Sequence, residues 1–214
     1  MLVLGDTACV NFLAHLVLAP QTPEGLIGSI APDMIQGPLP SDLHDAVASA
    51  AKEHHLIDRY TDAHPAFGQT RERLRGVVDT RLSGILVDVL YDHILARDWG
   101  HWRAESLPDY LDQAHRGLLG ALPYVPVRMQ MIVRKMIDER WLVSYATVEG
   151  IRARLETMSQ RLTRRFDRPT SLLISERDLA DLDEGLTQDF EMFWPDLLSH
   201  VDRCRLEEQE RLAS

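Results

Sequence analysis

Leu82-Ser-Gly-Ile-Leu-Val-Asp-Val-Leu-Tyr-Asp-His-Ile-Leu-Ala96 is the stretch that decides how this chain folds. At about 100° per residue, Leu82, Ile85, Leu86, Val89 and Ala96 share one apolar arc, the signature of a helix. Asp92 and His93 fall inside that arc, and Asp88 lies at its margin. A carboxylate on a core-facing stripe is costly unless it is paired or binds a metal ion. One segment therefore predicts both a buried helix and polar chemistry directed at the core.

The same pattern recurs on both sides. Toward the N-terminus, Ser41 is a good N-cap for a long helix reaching roughly His64, where Pro65 bends or ends it. Leu43, Val47 and Ala50 define its buried stripe, His54, Asp58 and Thr61 continue it, and Asp62 sits near the edge. His54 and Asp58 are four residues apart, one turn from each other on one face. Earlier still, Asn11 to Ala19 reads as a helix stopped by Pro20, with His15 four residues after Asn11. A helix over 24–36 follows. Pro32 must kink or divide it, just before Asp33. Toward the C-terminus, helices are predicted over 67–78, 107–122, 124–144 and 147–165, with one continuing Leu82–Ala96 to about Trp102. A last segment from Glu176 onward forms one or two helices, with Pro195 as an interruption. There is no alternating strand pattern and no internal repeat. The expectation is an all-α chain with a single domain over 10–214. Residues 1–9 lack helical pattern and read as an N-terminal extension, either disordered or an upstream start, because Val10 is a workable initiator.

Composition excludes several functions. With 45 % hydrophobic and 26 % charged residues, the chain can build a core and is not globally disordered. A net charge of −10 argues against broad nucleic-acid or anionic-membrane binding. Lys52 and Lys135 are the only lysines, so the positive charge is nearly all Arg, which suits phosphate and carboxylate partners. The two cysteines, Cys9 and Cys204, make no zinc motif and fit a reducing cytoplasm. No apolar run is long enough to span a membrane.

Spacing alone leaves two readings open. His15 can be a hydrogen-bonded core residue, Asp88 can pair with Arg81 or Arg97, and Asp58 and Asp62 can pair with Arg59 or water. Alternatively, several polar residues recurring on separate apolar stripes converge on a metal ion. Mixed His and carboxylate donors without Cys suit Mn²⁺, Mg²⁺, Fe²⁺ or Zn²⁺. There is no Walker-type loop and no Gly-x-Ser-x-Gly elbow, so nucleotide P-loop and serine-nucleophile chemistry lack support.

Taken together, Asn11-Phe-Leu-Ala-His15-Leu, Gly28 through Asp33 to Gly37, His54-His-Leu-Ile-Asp58-Arg-Tyr-Thr61-Asp62 and Asp88-Val-Leu-Tyr-Asp92-His93 with Trp99 resemble the acyl carrier protein phosphodiesterases. Glu139-Arg-Trp141-Leu-Val-Ser-Tyr145 and Phe193-Trp194 also fit. The resemblance runs from Asn11 to about His200. It departs from the family in the residues before Asn11 and in Pro32 preceding Asp33. The resemblance implies a helical architecture like that of HD-type metal phosphohydrolases. It implies release of 4′-phosphopantetheine from the Ser of holo-acyl carrier protein, with Mn²⁺ as the cofactor and Mg²⁺ or Fe²⁺ as alternatives. Asp33 matches an aspartate associated with activity in the family.

On motif position and chemistry, His54, Asp58 and Asp92 are expected to bind the metal, joined by Asp33 and His15. His93 is the candidate proton donor for the poor serine leaving group. Asn11, Thr61, Asp62 and Asp88 would orient the ligands. Arg154, Arg161, Arg165 and Arg168 share a broad face that could dock an acidic carrier protein. Two other functions fit the same residues: an HD-like phosphohydrolase acting on a nucleotide, and a non-catalytic helical partner-binding protein.

Overall fold

The computed structural model describes residues 11–35 and 37–213. Residues 1–9, read above as an extension, lie outside them. Among the described residues there are eleven α-helices, one short 3₁₀ turn at Leu122–Tyr124, and no strand. The all-α expectation is met, and one apolar core runs through the helices.

Helix α5 (Ser83–Arg97) lies at the centre. Every residue in it except Gly84 and Arg97 is buried. The sequence suggested a single apolar arc, but the helix is enclosed all round, as a helix with apolar residues on every side must be. It ends at Asp98, and Trp99–Trp102 forms a separate short α6 rather than a continuation. Helix α1 (Phe12–Leu18) is entirely buried and packs on α5 and on α2 (Pro23–Met34).

Local chemistry explains most boundaries. Thr22 caps α2 by accepting from the Gly25 amide, with Pro23 and Glu24 in the first turn. Pro32 neither divides nor ends this helix. It sits in the last turn, where the lost N–H removes only one ladder bond, and the chain leaves the helix at Ile35. Helix α3 (Asp45–Ala63) starts later than predicted. Pro40 to Leu43 form a turn, and the His44 ring, not Ser41, accepts the capping bond from Ala46. Pro65 opens α4 (Pro65–Arg73).

Ser106 caps α7 (Leu107–Gly120), and Thr147 caps α10 (Val148–Phe166). The predicted helix over 124–144 is broken. Arg140 takes a left-handed conformation at φ 54°, separating α8 (Val127–Asp138) from α9 (Trp141–Ser144). The last helix, α11 (Glu176–Ala213), passes through Pro195 without interruption. Pro195 is exposed, so water can take the carbonyl it frees.

The most extensive helix pairing is α2 on α3. Gly28 makes it possible. A Cβ there would lie 2.5 Å from the Val47 carbonyl oxygen and 2.7 Å from the Ala50 methyl. Its absence lets the two helices close up, and both carry polar residues of the site.

Candidate metal centre and its pocket

Four side chains from three helices meet where α1, α2 and α3 come together. His54 Nε2 lies 3.0 Å from Asp58 Oδ2 and 3.5 Å from Asp33 Oδ1. His15 Nε2 lies 3.2 Å from Asp58 Oδ1. The His15 and His54 rings stack with centroids 4.0 Å apart. His15 and His54 are fully buried, while the Asp58 side chain keeps 26 % exposure.

The His54 ring is oriented by backbone. Its Nδ1 lies 2.7 Å from the Ser29 carbonyl, which can only accept, so Nδ1 carries the hydrogen and Nε2 turns to the carboxylates. Ser29 stands on α2 three residues before Pro32, so the close α2–α3 packing also aims the imidazole.

Burial opposes a charge on His54, but Asp33 and Asp58 outweigh it and lift the ring to about 10. Burial pushes the Asp33 carboxyl up. For Asp58 burial acts the same way, yet His15 and His54 overcome it and hold the carboxyl well below its ordinary range. Burial and the neighbouring His54 push His15 down. The cluster is thus built around a demand for positive charge between its donors.

A divalent cation fits that demand. Donor atoms of His15, Asp33 and His54 lie within 4.8 Å of one another, and so do those of His54, His55 and Asp58. Several of these atoms are buried without a hydrogen-bond partner: both His15 nitrogens, Asp33 Oδ2 and Asp58 Oδ1. Native structures rarely leave such atoms orphaned. Two imidazoles and two carboxylates without sulfur form a donor set for Mn²⁺, Mg²⁺, Fe²⁺ or Zn²⁺.

The other expected residues divide. Asp92 is fully buried on α5, but it belongs to neither donor group. Its two oxygens accept the backbone N–H groups of Leu13 and Ala14, each at 2.9 Å. It serves as the remote cap of α1, whose own N-cap residue, Asn11, makes no capping bond. Burial, relieved in part by these two bonds, raises the Asp92 carboxyl well above its usual range.

His93 does not join the cluster either. One residue further along α5, it points elsewhere, and its Nδ1 donates to the Tyr145 carbonyl at 2.7 Å. Asn11 Oδ1 and Thr61 Oγ1 are buried without partners. Thr61, Asp62 and Asp88 line the same pocket as Asp33, His54 and Asp58.

That pocket has a volume of about 1620 Å³. Its walls carry Arg71, Arg81, Arg128, Arg161, Arg164 and Arg165, so arginines from separate parts of the sequence come together around one opening. Arg154 lines it too, but is buried, and its guanidinium stacks on Trp141 at 3.9 Å. It therefore belongs to the pocket interior rather than to an outer docking face. Arg168 does not line the pocket. Its guanidinium lies over the Phe166 ring, and its charge reaches Asp79.

Sequence reasoning missed His55, which is exposed, lines the pocket and lies beside His54 and Asp58. The signal was the adjacent His54-His55 pair. On a helix, neighbours point about 100° apart, which lets one imidazole face the cluster and the other its opening.

Fold and site together define a helical protein with a buried His–carboxylate centre, suited to a divalent cation, at the base of an arginine-lined pocket. Comparison with known proteins then identifies the family. The sequence model described as acyl carrier protein phosphodiesterase matches residues 10–197, and this chain belongs to that family. An acyl carrier protein phosphodiesterase of Yersinia enterocolitica is 31 % identical over 195 residues, covering 90 % of this chain and 97 % of the relative. One from Serratia proteamaculans is 32 % identical over 193 residues, covering 90 % and 97 %. One from Yersinia pestis is 33 % identical over 153 residues, covering 71 % and 79 %. No solved structure matches the chain.

Proposed function

We propose that this protein hydrolyses the phosphodiester joining 4′-phosphopantetheine to a serine of holo-acyl carrier protein, releasing apo-carrier protein. The observation that carries this reading is the His15–Asp33–His54–Asp58 cluster in an arginine-lined pocket, within a chain of this family. Those four residues would hold the cation, with Mn²⁺ the expected ion and Mg²⁺ or Fe²⁺ the alternatives. When bound, a divalent ion supplies charge for the phosphoryl oxygens and lowers the pKa of water.

The remaining steps fall to the chain's own side chains. Ser29 holds His54 through its carbonyl, keeping Nε2 free for the cluster. Asp92 fixes the start of α1 and so the position of His15. His55 replaces His93 as the imidazole placed at the pocket, where a ring N–H can be handed to the departing serine oxygen. Asp62, which lines the pocket, and the buried Thr61 beside it flank Asp58 along α3.

The partner reading follows from charge distribution. The chain carries −10 overall, yet arginines ring the pocket mouth, which gives an acidic carrier protein a local surface to meet. No described helix is long and apolar enough to cross a membrane. A cytoplasmic setting suits both the substrate and the cysteine content.

The test is direct. Purified chain is incubated with holo-carrier protein and Mn²⁺, and the protein product is weighed by mass spectrometry. A mass loss equal to phosphopantetheine supports the reading. Unchanged holo-carrier with Mn²⁺, Mg²⁺, Fe²⁺ and Zn²⁺ each supplied in turn overturns it. Hydrolysis of nucleotides by the same preparation, without action on the carrier, would favour the related nucleotide phosphohydrolase activity.

A further inference from the structure

The pocket holds a second feature that the cluster does not explain. Arg154, on α10, is only 6 % exposed, yet it lines the cavity shared with Asp33, His54 and Asp58. Among the described residues it forms no ion pair, and its Nε has no hydrogen-bond partner. The buried Tyr145 hydroxyl beside it also lacks a well-formed hydrogen bond. Burying a guanidinium without a counter-anion is costly.

The neighbourhood increases that cost. Arg161 and Arg164 lie close enough that burial, then Arg154 and Arg164, push the Arg161 pKa down. Glu139 is the acid that opposes them. It is exposed and already engaged by the Trp141 Nε1 hydrogen at 2.8 Å and by Lys135 at 3.6 Å. The Trp141 ring, 3.9 Å from the Arg154 guanidinium, fixes the plane of its fork. A rigid, buried fork with surplus positive charge beside it matches the geometry of a planar or tetrahedral oxyanion.

We propose that Arg154, assisted by Arg161, is a phosphoryl-binding subsite that grips two oxygens of a phosphodiester or phosphate monoester in the pocket. Its part in turnover rests on the phosphodiesterase reading. Its existence does not, because anion binding can be measured without any reaction.

The full chain, stripped of metal with a chelator, is titrated with inorganic phosphate and followed by calorimetry and tryptophan fluorescence. Wild type binds phosphate. Arg154→Gln weakens binding at least tenfold, and Arg161→Gln weakens it less. Arg154→Lys keeps the charge but loses the fork, and falls between wild type and Arg154→Gln. Circular dichroism and the thermal midpoint certify each fold, and Arg154→Lys carries the test if the glutamine variant does not fold. With holo-carrier protein, the same variants lower kcat/KM in the same order. Absence of phosphate binding by wild type, or wild-type binding by folded Arg154 variants, overturns the subsite whatever the turnover shows. Phosphate binding that depends on Arg154, in a protein that never cleaves holo-carrier, supports the subsite and removes the carrier reading alone.

Discussion

At the scale of the residue, the polar groups on apolar stripes were legible because burying them demands a reason. His15, Asp33, His54 and Asp58 meet as the stripes suggested. What sequence could not separate was a carboxylate that faces the cluster from one that accepts from backbone amides. Asp92 looked like the others, and its partners are two amides about eighty residues away in the chain. His93 shares the apolar arc of α5, but that arc closes on itself, so membership of it did not specify a direction. The difference between Asp92 and Asp58 is measurable. Removing Asp92 leaves two buried amide donors unpaired, so Asp92→Ala should cost metal-free protein about 1–3 kcal/mol per orphaned donor. Asp58→Ala removes the carboxylate that pairs with the buried His15 and His54 rings, so it should also destabilise the metal-free protein. It should abolish Mn²⁺ binding, however, which Asp92→Ala should weaken less. Urea denaturation and Mn²⁺ titration of both variants check the pair. Equal losses of Mn²⁺ affinity in the two folded variants would contradict the division of roles.

At the scale of the element, helices announced themselves by period and by caps, and Thr22, Ser106 and Thr147 cap as their residue types predict. The failures were at breaks. Nothing at Arg140 resembles the glycine that usually ends a helix, yet a left-handed residue there separates α8 from α9 and brings Trp141 beneath Arg154. Pro195, an obvious break, is tolerated on the solvent side of α11. Gly28 was visible in the sequence but its purpose was not, because close approach is a property of two helices. Gly28→Val should drive α2 from α3, destabilise the protein by about 1–3 kcal/mol, and separate Asp33 from His54. The Mn²⁺ affinity of the folded variant, measured by calorimetry, should fall at least tenfold. Retained affinity would show that the helices need not touch there.

At the scale of the whole molecule, net charge gave the wrong impression of the surface. The sequence totals −10, but folding gathers arginines from α4, α8 and α10 around one pocket. Acidic partners would be steered to that mouth, and salt would weaken the steering. The double variant Arg128→Glu, Arg164→Glu should lower kcat/KM for holo-carrier protein roughly tenfold at low salt. Its rate should also depend less on salt than the wild-type rate, with a small phosphodiester as the comparison substrate. Parallel salt profiles would move the docking surface away from the mouth.

The capping of α1 by Asp92 reaches further than geometry. A helix of seven residues is too short to persist alone, and its Leu13 and Ala14 amides are satisfied by a side chain from the middle of the molecule. The order of the segment bearing His15 therefore depends on the central helix, and we expect the two to lose their contact early when the protein breathes. Hydrogen exchange at the Leu13 and Ala14 amides reports that opening. A cation bound through His15 should slow both amides together, so that ligand occupancy is written into the protection of two residues that never touch it.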